Sequence, residues 1–256
     1  MHRWALLLVV IACGLISCQP PLHIADPMPM PLFTHSWQGS LQGNYTNNNK
    51  LYLEGSCSIP NNLILLASHT AWRKGLDYDE DLTSFGTGIF WPNKNEYSWS
   101  LLGGFGLGSQ RIGPSYVFDG PWNGDRTLIS EQADLRTFFV EFLGSKTEAM
   151  HFYHSTEEFG RSSTGYATRI EYVDRYHFSQ LTRTWFQQQD SLLRSDTTTS
   201  INEIPNHSWN LDLVAFGSIG YSFFDLIGSV MFRFPIGGYR DYTNFLMFNA
   251  GVRLTF

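Results

Sequence analysis

His177 and Ser179 stand two residues apart. A serine hydroxyl becomes a nucleophile when an imidazole takes its proton and an acid or amide group orients that ring, so this pair has the residue types for hydrolysis. On a strand, the spacing puts both side chains on one face. His151 and His154 suit a metal only across a helical turn, and no apolar helical stripe surrounds them, so they read as surface histidines. Asp77, Asp79, Glu80 and Asp81 offer the oxygens that a hard cation needs, but their spacing fits no calcium loop, and a solvated charge run is expected. Gly103 to Gly108 lacks the strand-to-helix setting of a dinucleotide site; its glycines give curvature and room. These patterns call for no metal and no cofactor, and the chain reads as a non-enzyme, with hydrolysis at His177 and Ser179 kept as the alternative.

The elements that must position these side chains have a period of two. In the last stretch, Leu246, Phe248, Ala250, Val252, Leu254 and Phe256 alternate with Asn249, Gly251, Arg253 and Thr255, a strand with one apolar and one polar face. Further apolar faces are Trp37, Leu41 and Tyr45; Leu51, Leu53 and Cys57; Phe85, Ile89 and Trp91; Trp99, Leu101, Phe105 and Leu107; Phe138, Val140 and Phe142; Tyr166, Ile170, Tyr172 and Tyr176; Trp209, Leu211 and Leu213; and Phe224, Leu226, Val230 and Phe232. With a blurred run from Leu63 to Arg73, these make about ten strands, each of a length that crosses a bilayer when tilted. The expected class is all-β, a single antiparallel up-and-down transmembrane β-barrel, with eight or twelve strands open because Gly144 to Gly165 is long for a turn. Tight turns are expected at Ile59 to Asn62, Pro92 to Asn95 and Gly220 to Ser222. Longer outer loops are expected at Lys74 to Ser84, Arg111 to Ala133, Ser179 to His207 and Pro235 to Asn244.

Arg3 and the apolar run from Trp4 to Ile11 have the form of a signal peptide, too short to span a membrane as a helix. Leu15, Ile16, Ser17 and Cys18 resemble the bacterial lipobox, which implies acylation of Cys18, and the residues after it imply an anchor facing the periplasm. The expected layout is a signal peptide over 1–17, a lipid-anchored Pro-rich linker over 18–35 and a barrel over 36–256. Only Cys57 then remains in the folded part, so no internal disulfide framework forms.

The alternating strands, the aromatic residues at their ends and the terminal Phe256 resemble the small outer-membrane β-barrel proteins of the Bacteroidota type. The resemblance implies outer-membrane lipid and the barrel insertion machinery as partners, the latter reading Phe256. The polar faces carry Glu54, Glu141, Arg169, Glu171, Arg175, Asp212, Asp225, Arg233 and Arg253. Both signs in one narrow lumen are expected to pair and plug it rather than line a selective pore.

His177 and Ser179 also resemble the His and Ser of outer-membrane lipid hydrolases, which present the pair to lipid. Here the strand's alternation places them on the lumen side with Arg175, unless a bulge near Val173 and Asp174 shifts the register. A net charge of −6 and the lack of a basic cluster exclude a nucleic-acid partner. The expected role is structural or in surface interaction. A surface ligand would meet the outer loops, of which Arg111 to Ala133 carries Tyr116, Phe118, Trp122 and Asp125. The rival is a lipid-tethered periplasmic barrel with its apolar faces inward around an apolar ligand.

Overall fold

The computed structural model describes Phe33 and residues 36–47, 49–74, 78–92, 97–118, 126–151, 158–188, 191–200, 207–221, 223–238 and 246–256. The signal peptide and Cys18 lie outside the described residues, as do Asp77, Trp122, Asp125 and His154 and the side chains of Tyr116, Phe118, His151 and Ser179.

Among the described residues there are eleven strands: β1 (Gly39–Thr46), β2 (Lys50–Ile59), β3 (Leu63–Lys74), β4 (Tyr78–Pro92), β5 (Tyr97–Phe118), β6 (Arg126–His151), β7 (Glu158–Gln188), β8 (Ser191–Ser200), β9 (His207–Tyr221), β10 (Phe224–Gly238) and β11 (Leu246–Thr255). Neighbours in sequence pair antiparallel, and β11 returns to β1. β8 stands outside this ring. It pairs with Ser179 to Gln188 of β7, while Arg161 to Asp174 of the same strand pairs with β9. Ten strands therefore close an up-and-down barrel, which leaves no open sheet edge around the wall.

Turn chemistry sets the two ends apart. At the near end, where β1 starts and β11 stops, Pro60 opens a single 3-10 turn, and Asn61 and Asn62 take left-handed φ values of 66° and 60°. Asparagine tolerates that region better than other non-glycine residues, so β2 reverses into β3 within three residues. β9 and β10 also meet there, with Tyr221 paired to Phe224.

At the far end the strands outrun the barrel, and the expected loops prove to be strand. β3 and β4 pair as far as Lys74 and Tyr78, so most of the stretch from Lys74 to Ser84 is ladder. β5 runs on to Phe118, β6 starts at Arg126, and β8 occupies the middle of the stretch from Ser179 to His207. At the near end, the span from Gly144 to Gly165 is a long hairpin too, paired from Ser145 and Gly165 down to His151 and Glu158. Beyond a bilayer both faces of a strand meet water. The apolar alternation that marks a strand in sequence then has no cause and disappears.

Candidate functional site

One face of every ring strand looks inward, and the charged residues on it are buried. Glu54, Glu141, Arg169, Glu171, Arg175, Asp212, Asp225, Arg233 and Arg253 are each at most 6% exposed. Cross-strand register brings four of them together, since Arg169 of β7 lies opposite Asp212 of β9, which lies opposite Arg233 of β10. Arg233 Nε and Nη2 donate to the two Asp212 oxygens, each at 2.7 Å, and Nη2 also reaches Glu171 Oε2. Arg169 Nη2 donates to Glu171 Oε1 at 3.1 Å, and its Nε lies 3.4 Å from Asp212 Oδ2.

Towards the near end, Asp225 accepts from Arg253 Nη2 at 2.8 Å and from Arg161 Nε at 3.0 Å. Towards the far end, Lys50 Nζ donates to Glu80 Oε1 at 2.9 Å, both side chains fully buried. Beside the central group, a void of about 10 Å³ between Tyr52, Ser68, Ser84, Thr137, Arg169 and Glu171 has room for one water. Glu141 is fully buried, and among the described residues neither carboxylate oxygen has a hydrogen-bond partner.

Lys50, Glu80 and Arg161 are the charges that sequence reading missed. Glu80 lies within the expected loop from Lys74 to Ser84 and Arg161 within the span from Gly144 to Gly165, while Lys50 stands just ahead of the expected strand face that begins at Leu51. Yet Lys50 shares its parity with Glu54, and Glu80 shares its parity with Ser84. The acidic stretch is thus no solvated run on one loop. Asp79 and Asp81 face outward beside Arg73 (3.7 Å) and His69 (3.6 Å), while Glu80 points in.

The exterior is apolar between two polar limits. On β6, Phe138, Val140 and Phe142 are 54%, 56% and 41% exposed, with Arg136 on one side of them and Lys146 on the other. The ten steps from Arg136 to Lys146, at about 3.3 Å each and tilted near 40°, span roughly 25 Å, the height of an outer-membrane apolar band. Trp91, Tyr97 and Tyr166 are exposed at the near margin, and Trp209 and Tyr45 at the far one. Such amphipathic rings collect at membrane interfaces. The chain folds as a closed ten-strand up-and-down β-barrel with an apolar exterior band. A water-surrounded barrel would turn its polar face outward, whereas here Phe138, Val140, Phe142 and their counterparts on the other strands are the exposed residues.

His177 departs from the alternation of its strand. Tyr176 pairs with Asp134 and Ser179 with Gln132, so His177 and Phe178 together oppose Ala133 in a bulge, with His177 at φ 50°. The bulge is not at Val173 and Asp174, the position considered from the sequence, which keep unbroken register with Thr137 and Arg136; the expected lumen placement of His177 is thereby corrected. The His177 side chain is 78% exposed rather than in the lumen, and its Nδ1 hydrogen-bonds Asp134 Oδ2 at 2.8 Å. Past the bulge, Ser179 shares the register of the exposed Gln132. Next to this pair, the Arg136 guanidinium lies 4.0 Å from the centre of the Tyr176 ring and 3.2 Å from Asp174.

No protein-family model matches the sequence, and no curated protein matches it. Among solved structures, the barrel is similar to the KdgM porin in complex with disordered oligogalacturonate (9% identity, TM-score 0.33, 86% of this chain and 99% of that one). It is also similar to a chain of the FpvAI–pyocin S2 complex (9%, 0.24, 85% and 41%) and to the CymD monoaromatic hydrocarbon channel (7%, 0.21, 86% and 86%). Likeness at these scores carries no argument about activity.

Proposed function

We propose that this barrel is a closed, non-enzymatic outer-membrane lipoprotein, acylated at Cys18 on the periplasmic side, that acts through the sheet raised above its far end. The observation that carries the reading is the buried group Arg169, Glu171, Asp212 and Arg233, which ties the neighbouring strands β7, β9 and β10 together on the inner wall and leaves beside it a void of only about 10 Å³. A space of that size admits one water and no larger solute. The far portions of β5, β6, β7 and β8 form one continuous antiparallel sheet, which suits a surface contact.

The test is fractionation of a Cys18→Ala variant behind a cleavable signal, with mobility read before and after boiling and conductance measured in a planar bilayer. The reading expects retention in the outer membrane, a shift on boiling and no steady conductance. Release into the periplasm or an ohmic channel would overturn it.

A second reading, lipid hydrolysis at the far rim, is favoured by the bulge, which takes His177 out of the lumen to Asp134 and sets Ser179 in register with an outward residue. Its check is the lipid A and phospholipid profile of cells carrying Ser179→Ala. A profile identical to that of cells with the intact chain removes this reading.

A further inference from the structure

Phe33 precedes the first strand, yet it is 1% exposed. Its ring centre lies 6.0 Å from that of Phe90 at an interplanar angle of 56°, and with Ile64, Phe90 and Leu102 it forms a buried apolar cluster. Those three partners are the inward residues at the near ends of β3, β4 and β5. The near mouth of the lumen is therefore lined on this side by apolar groups, whereas the opposite side carries Asp225, Arg253 and Arg161. This cluster is separate from the larger inward apolar group that includes Trp72, Leu143, Phe216 and Met231, and Phe33 is its one member from outside the strands.

Trp37 supplies a second, independent observation. It is 75% exposed and has φ 68°, a backbone conformation that bulky side chains rarely adopt. The chain is pinned there to the rim. Trp37 N donates to Ser58 O at 2.9 Å, Gln38 N to Ser58 Oγ at 3.0 Å, and Ser58 N to Gln38 O at 2.8 Å. Two aromatic residues four positions apart thus lie on opposite sides of the barrel rim, Trp37 outside and Phe33 inside.

We infer that the mouth formed by Ile64, Phe90 and Leu102 is a docking socket for the chain's own segment ahead of the barrel, with Phe33 as the inserted anchor that closes the lumen on the side of the two termini. The inference rests on the lipid-facing barrel proposed above, and it adds what that reading lacks, a link between the anchor and the lumen. Fifteen Cα steps separate Cys18 from Phe33, a reach of at most about 50 Å when fully extended. A seated Phe33 therefore keeps an acylated amino terminus within about 50 Å of the near rim.

The test uses the full barrel with Cys13, Cys18 and Cys57 changed to Ser, refolded in detergent, and a single reporter, Leu102→Cys, exposed to a water-soluble maleimide. Labelling is expected to be slow with Phe33 present, roughly tenfold or more faster in Phe33→Ser, as for local opening of a buried site, and slow again in Phe33→Leu. Because Leu102→Cys itself alters the socket, the paired variant Phe33→Cys with Phe90→Cys is oxidised in parallel and is expected to form a disulfide only in the folded barrel. The shift in mobility on boiling reports the barrel separately, so loss of the barrel and loss of the socket are distinct results. Equal labelling of the Phe33 and Phe33→Ser proteins in a barrel that still shifts would overturn the inference. Protection that persists in Phe33→Ser and changes only with detergent chain length would place a lipid chain in the socket and overturn it too.

Discussion

Gly39 and Phe256, the first residue of β1 and the last of the chain, exchange both backbone hydrogen bonds: Gly39 N donates to Phe256 O at 2.7 Å and Phe256 N to Gly39 O at 3.0 Å. The Phe256 ring lies over Gly39, where an added Cβ would sit 2.3 Å from a ring carbon. The seam that closes the barrel thus needs a residue without a side chain at position 39. Gly39→Leu should cost about 1–3 kcal/mol through overpacking. The measurement is the urea concentration at which the boiling-dependent mobility shift disappears. An unchanged midpoint would mean that the ring moves aside freely.

Arg233 holds Asp212 and Glu171 together in the lumen, and removing it leaves two buried carboxylates short of a partner. Arg233→Met is expected to destabilise the barrel by about 3–5 kcal/mol, and adding Asp212→Leu should recover part of the loss because a buried pair replaced by apolar groups is often neutral. Equilibrium unfolding of the single and double variants measures both. A double variant weaker than the single one would show that the pair contributes more than it costs.

Phe138 stands in the middle of the exterior apolar band. If lipid covers it, Phe138→Arg should cost about 2–4 kcal/mol of stability in bilayers. Were water outside, a surface change of this kind would stay within about 0.5 kcal/mol. Unfolding in lipid vesicles separates the two.

Asp134 and His177 form an exposed pair at the far rim, and exposed ion pairs contribute little to stability. Asp134→Ala should therefore lower stability by less than about 1 kcal/mol. If the rim hydrolyses lipid, the same change should still depress lipid cleavage by orders of magnitude, because the base loses its orienting partner. Stability and lipid profile read on one variant distinguish the two roles.

The barrel wall was legible in the sequence because a bilayer imposes its pattern directly. Leu51, Leu53 and Cys57 face out and Tyr52, Glu54 and Ser56 are buried, and the same parity runs through each ring strand. That parity also marks which charges turn inward, since a strand with one lipid face has only one other. It fails where lipid ends. Thr182 lies on the far extension of β7, and Asp196 and Thr198 on β8, and neither stretch carries an apolar alternation in the sequence.

Period two alone thus determined the all-β class and marked the strands of the wall, while it left Lys50, Glu80 and Arg161 unassigned. Tertiary pairing alone decided three other things: that Arg233 takes Asp212 and Glu171 rather than other carboxylates, that one extra residue at His177 moves a rim histidine out of the lumen, and that Phe33 is buried at a mouth built by three other strands. Each depends on cross-strand register or on contacts between residues distant in the chain, which local spacing does not encode.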